Sequence, residues 1–193
     1  AERFLDQGDV STLFHEPYAY FTCASLAATL REGGTRGLRI RRSRFSKLIF
    51  ATLRFDGPQS EDIAFDRSLA SSMALAHGFR NKVTRTAGRI AGFLADARAF
   101  GESVAIYVPA RFANYVMLAE LSLEGVRFFD DSPAMQGRYF PGIAVPIESG
   151  EALIANPCQR VLIMSTSFGA KIKARIAGLL PSNIRITLLD ELP

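Results

Sequence analysis

The chain is poor in the residues that build metal and redox sites. Its 193 residues hold two cysteines, Cys23 and Cys158, and two histidines, His15 and His77. A structural zinc site draws about four such ligands from close spacing, and here they are scattered. Neither a metal site nor a Cys-x-x-Cys redox pair is therefore expected. No apolar run approaches the roughly 20 residues that cross a bilayer. No charged, then apolar, then small-residue succession opens the chain, so the compartment reads as cytoplasmic. No G-x-G-x-x-G follows a strand-like run and no Walker loop occurs, which removes the ordinary dinucleotide and P-loop fingerprints. Internal repeats and low-complexity segments are absent too.

What is present is ordinary for a globular protein: 48% hydrophobic and 22% charged residues, enough for one core and an appendage. The net charge of +4 has a local origin. Arg36, Arg39, Arg41, Arg42, Arg44 and Lys47 alternate with Leu38, Ile40, Phe45 and Leu48. Nucleic-acid binding wants basic groups and stacking aromatics on one face. This alternation instead fits a strand with one wet face, or a contact to a partner domain, and no nucleic-acid partner is expected.

Residues 1–19 read as irregular. Tyr20 to Arg31 suits an amphipathic helix ended by Gly33-Gly34. Leu38–Arg44 and Lys47–Phe55 read as a hairpin turning near Ser46, and Asp56-Gly57-Pro58 marks a boundary. Residues 60–99 lack proline and carry Ile63, Leu69, Met73, Phe79, Val83, Ile90 and Leu94 at helical spacing. They predict one long helix with a candidate break at His77-Gly78. Strands are then predicted at Val104–Val108, Val126–Phe129, Ala144–Ile147, Arg160–Ser165 and Ile184–Leu188. Between them, helices are predicted from Phe112 to Leu121, over Ser149–Ile154, and from a cap at Thr166 or Ser167 to Leu180, where Pro181 stops the last. This succession implies an α/β fold: a Rossmann-like three-layer domain with a mostly parallel sheet over 102–193. A connecting long helix (58–101) and a helix-plus-hairpin appendage (1–57) precede it.

In such a fold ligands sit beyond the C-terminal strand ends. Three loops meet there: Pro109-Ala110-Arg111, Asp130 to Gly142, and Ser165-Thr166-Ser167-Phe168-Gly169. The last suits a phosphate or carboxylate on backbone N–H groups, and equally an ordinary hydroxyl N-cap. For Asp130 and Asp131, capping the turn ranks before holding a ligand hydroxyl, and both rank before acid–base catalysis, because sequence neighbours point to opposite sides. His15 beside Glu16 is either a general base or a structural pair. His77 reads as a partly exposed helix residue.

Two stretches carry a family resemblance. Asp130-Asp131-Ser132-Pro133-Ala134-Met135-Gln136-Gly137-Arg138-Tyr139-Phe140-Pro141-Gly142, followed by Val145-Pro146-Ile147, resembles the signature loop of the C-terminal domain of nucleotide-sugar C-methyltransferases. Met135 stands where that family typically has Lys. Phe14-His15-Glu16-Pro17-Tyr18-Ala19-Tyr20-Phe21 resembles the family's Tyr-His-Glu-His-Tyr-x-Tyr-Phe, with Phe14 at the first Tyr and Pro17 at the His that the family implies as base. Tyr107-Val108-Pro109-Ala110-Arg111-Phe112-Ala113-Asn114 stands where the family resembles Tyr-Gly-Ala-x-x-Lys-Gly-Asn, and its glycines are gone.

The resemblance implies a Rossmann-like domain that takes a nucleotide sugar through Tyr107, Arg111, Asn114, Asp130, Gln136, Gly137, Arg138, Tyr139, Thr166 and Ser167. It assigns no catalytic residue, His15 and Glu16 being remnants of the motif. S-adenosylmethionine is implied only for a full-length relative, with its glycine-rich turn and the zinc cysteines before residue 1. The expected protein is thus a truncated, degenerate relative that does not catalyse by itself. The alternatives are a protein-interaction or regulatory pseudoenzyme module, and a fragment of an active S-adenosylmethionine-dependent enzyme. Residues 20–55 are expected to pack on the long helix or on a second copy in a homodimer.

Overall fold

The computed structural model describes residues 2–12, 21–42, 49–56 and 69–193. Two compact units divide the chain, Ala1–Val83 and Thr84–Pro193.

In the first unit the irregular start predicted from sequence is instead a short helix α1 (Glu2–Gln7) and a 3-10 turn (Val10–Thr12). Gly8 ends α1 at φ +65, and a Cβ there would lie 2.7 Å from Cβ of Lys82, so glycine meets both demands. Helix α2 (Cys23–Glu32) starts where Thr22 and Ser25 form a reciprocal capping box, and Gly33-Gly34 follows its end as predicted. Strands β1 (Gly37–Arg42) and β2 (Ile49–Arg54) pair antiparallel, with Leu38 opposite Leu53 and Arg41 opposite Phe50. The alternation puts Arg39, Arg41, Phe50 and Thr52 on one exposed face, while Leu38 on the other is buried. The turn placed near Ser46 lies outside the described residues.

Helix α3 (Leu69–Ala99) is continuous over 31 residues. The candidate break at His77-Gly78 does not occur, because an isolated glycine costs a helix only about 1 kcal/mol. His77 is exposed.

The second unit holds a five-stranded parallel sheet: β3 (Val104–Tyr107), β4 (Val126–Phe129), β5 (Ile147–Glu148), β6 (Arg160–Ile163) and β7 (Arg185–Leu188), in the order β5-β4-β3-β6-β7. Its helices are α4 (Ala110–Ala119), α5 (Gly150–Ala155) and α6 (Gly169–Ala177). Strands β3 and β6 are buried on both faces, which is why Val104–Tyr107 and 161–163 read as apolar runs. Pairing of Val104 with Arg160 and of Ile106 with Phe128 and Leu162 defines one face. There Phe112 of α4 meets Phe128 edge-on at 5.7 Å, and Arg160 lies over the rings of Phe93, from α3, and Phe100. Ala105, Tyr107, Phe129, Val161 and Ile163 form the other face, with Leu153 of α5 and Ile176 of α6. The result is the Rossmann-like three-layer arrangement.

Several predicted boundaries move. Helix α4 opens at Ala110 behind Pro109 and ends before Glu120, which turns left-handed at φ 49, so it does not reach Leu121. Strand β5 is Ile147–Glu148, not Ala144–Ile147, since Pro146 has no N–H for the ladder. Strand β6 stops at Ile163. Helix α6 begins after Phe168, not at Thr166 or Ser167, and ends at Ala177. Leu179 and Leu180 only turn back to the Ile176 carbonyl.

Candidate functional site

Counted along the chain, the sheet runs third, second, first, fourth, fifth strand, so the connections leave β3 and β6 in opposite directions. Doubly wound sheets take ligands in the crevice beyond the strand ends at such a reversal. Two loops wall that position here. After β3 the chain passes through Val108 at φ 59, then Pro109 into α4. A β-branched residue in the left-handed region is a costly conformation. It is held by bonds on both sides: the Val108 N–H donates to the Phe129 carbonyl at 2.9 Å, and the Met164 N–H donates to the Tyr107 carbonyl at 3.0 Å. After β6 the chain runs through Met164 to Gly169, where a Cβ would come 3.3 Å from Leu188. Arg111 Nη1 donates to the Met164 carbonyl at 3.1 Å, so one cation bridges the walls.

The sequence candidates fall into distinct groups around this crevice. Arg111 spans the two loops. Asn114, less than one turn along the same helix, is buried. Thr166 and Ser167 are exposed, and the hydroxyl that caps the loop is Ser165, whose Oγ accepts from the Phe168 N–H at 3.1 Å. In the signature loop Asp130 caps its own turn, with Oδ1 accepting from the Ser132 N–H at 2.9 Å. Gln136 Nε2 donates to the Asp130 carbonyl at 3.1 Å. Gly137 takes φ 73 and donates its N–H to the Ile147 carbonyl at 2.8 Å, and Ile147 returns a bond to the Arg138 carbonyl at 2.9 Å. Phe140 anchors the loop's far end edge-on to Phe128 at 6.1 Å. The side chains of Arg138 and Tyr139 remain exposed.

Tyr107 lies on the other face of the sheet. Its side chain is 1% exposed and its hydroxyl donates to Asp131 Oδ1 at 2.5 Å. Arg175 Nη2 donates to that hydroxyl oxygen at 3.1 Å and pairs with Asp131 Oδ2. The neighbouring aspartates thus take different partners: Asp130 caps its own turn as predicted, whereas Asp131 bonds Tyr107 and Arg175. Burial first, then the Asp131 hydrogen bond, holds the phenol protonated far above its usual range, and Arg175 opposes this more weakly. The Arg175 guanidinium is shifted up in turn, chiefly by its bond to Asp131. A cleft of about 140 Å³ adjoins the cluster, lined also by Glu151, Ile154 and Leu179. Arg175 escaped the sequence reading, since nothing local links it to an aspartate 44 residues away.

His15 and Glu16, with Phe14 and Pro17, lie outside the described residues. Among the described residues no group of three or more His, Cys, Asp or Glu could hold a metal ion, and no helix is long and apolar enough to cross a membrane.

Residues 66–187 match the family described as C-methyltransferase C-terminal domain. No curated protein matches the chain. The family match takes in more than half of the chain, including the signature loop and the crevice loops of the five-stranded sheet, and the chain belongs to the C-methyltransferase C-terminal domain family.

Proposed function

We propose that the second unit binds a nucleotide sugar at the strand-end crevice and does not catalyse by itself. The observation that carries this is the Arg111 bridge at the switch point: a permanent cation set between two strand-end loops. A diphosphate needs such a charge, and the exposed hydroxyls of Thr166 and Ser167 stand on the loop that Arg111 reaches. Gln136, Gly137, Arg138 and Tyr139 supply the rest of the surface, on a loop whose backbone is tied to β5. Asn114 supports α4 from within, and Tyr107 acts through Asp131.

The chemistry of carbon methylation needs a base next to the sugar's keto group and a methyl donor. Pro17 and Phe14 occupy the positions of the implied base and its tyrosine partner, and neither side chain accepts a proton. The resemblance implies S-adenosylmethionine only for a full-length relative, and the turn out of β3 carries Val108-Pro109-Ala110 where the resembled motif has glycine.

Calorimetry with a deoxythymidine-diphosphate sugar, and S-adenosylmethionine as parallel titrant, tests the proposal. Saturable heat with the sugar nucleotide alone is expected, and Arg111→Ala should weaken it by about tenfold or more, the worth of a charged hydrogen bond. No heat with either titrant would overturn the proposal in favour of a protein-interaction module.

A further inference from the structure

Four elements converge on one carboxylate. Asp131 opens the signature loop, Tyr107 ends β3, Arg175 lies in the last turn of α6, and Gly150 begins α5. Asp131 Oδ1 accepts from the Tyr107 hydroxyl and Oδ2 from Arg175, which also bonds the tyrosine oxygen. A Cβ on Gly150 would fall 2.7 Å from both Asp131 Oδ1 and the Tyr107 oxygen, so the neighbouring helix approaches without a side chain. Asp130, by contrast, only caps its own turn, and Gln136 bonds within the loop. Asp131 therefore ties the start of the loop to Tyr107 and to α6.

We propose that Tyr107 and Arg175 are positioning residues that clasp Asp131 and thereby fix the shape in which residues 132–142 meet a ligand. The clasp is a charge device. One nitrogen of Arg175, Nη2, makes both of its bonds, so a single ammonium in the same place can replace the guanidinium, whereas a neutral amide cannot. The phenol has one donor, and Phe at 107 keeps the ring in the core while removing the bond. The inference deepens the proposed function, since its consequence for affinity rests on that reading, but the loop's order does not.

Two readouts separate them. Amide hydrogen exchange of residues 132–142 in the free protein reports the clasp without any ligand. Asp131→Asn, Tyr107→Phe and Arg175→Gln should each speed exchange there by about threefold, the scale of a half-exposed ion pair, while β3 and β6 keep their protection. Arg175→Lys should restore slow exchange. Titration with the deoxythymidine-diphosphate sugar should show the same order of variants in affinity. Loop exchange unchanged in Arg175→Gln and Tyr107→Phe, or Arg175→Lys as fast as Arg175→Gln, would overturn the clasp. Faster loop exchange in a protein that binds no sugar nucleotide would keep the clasp and sink the proposed function.

Discussion

Val108 offers a test whose sign is unusual. It sits at φ 59 where the turn out of β3 must bend sharply, at the position where the family motif carries glycine. Placing a non-glycine residue there costs about 1–3 kcal/mol, toward the upper end for a β-branched side chain. Val108→Gly relieves that cost. It gives up about 0.5–1 kcal/mol of backbone entropy and about 1 kcal/mol of burial, because the isopropyl group is partly buried against the Tyr107 face of the sheet. The net expectation is a gain of up to about 1 kcal/mol. Val108→Ala separates the causes, since alanine loses the packing and keeps the Cβ. At an ordinary backbone position alanine is the more stable of the two; here glycine should exceed alanine by about 1 kcal/mol. Urea unfolding of the three proteins, compared at equal slopes, reads the order directly. An alanine variant as stable as the glycine variant would refute the strain argument.

Two further outcomes follow from buried polar groups. Arg160 is 4% exposed and pairs with Glu102, whose side chain is 33% exposed. Glu102→Ala strands the guanidinium and should cost about 1–2 kcal/mol in urea unfolding, reduced from a fully buried pair because Glu102 meets water. Arg160→Met keeps contact with the rings of Phe93 and Phe100, removes the charge, and should cost less; the opposite order would count against it. The second outcome concerns alkaline pH. The folded Tyr107 phenol has a raised pKa, so its contribution is complete below the ordinary phenol range and is lost as pH climbs through the folded value. Tyr107→Phe should remove the last phenolate to appear in a spectrophotometric titration and flatten the alkaline fall in stability; an unchanged titration would exclude the assignment.

The parallel sheet was legible because Val104–Tyr107 and Arg160–Ile163 are buried on both faces, which leaves apolar runs with no alternation. Gly33 marked the end of α2 for a local reason, whereas Pro181 lies beyond the end of α6, which stops at Ala177 before Gly178. Strand β5 was misplaced because two residues carry too little pattern, and Pro146 obscured it. The start of α6 was misplaced because Ser165, Thr166 and Ser167 are equivalent as caps until the strand end decides which one faces the Phe168 N–H. The same limit governed the site. The turn-capping role of Asp130 was legible because its partner is two residues away, whereas the bond of Arg111 to Met164 spans 53 residues. The Tyr107–Asp131–Arg175 cluster joins residues from three separated segments, and only the crossing of α6 over the sheet brings them together.

The position of β3 in the middle of the sheet also sets a timetable for synthesis. The β1–β2 hairpin joins near neighbours in sequence and can close in microseconds. Strand β3 pairs with β4 early, but its other partner is Arg160–Ile163, and β4, β5 and α5 must all be made first. At about 5–20 residues per second, a ribosome leaves that apolar edge waiting for seconds. During this interval the chain presents Val104–Tyr107 as an unfinished sheet margin, open to other nascent strands. Its yield in a cell should therefore depend on chaperone supply and translation speed more than its final stability suggests.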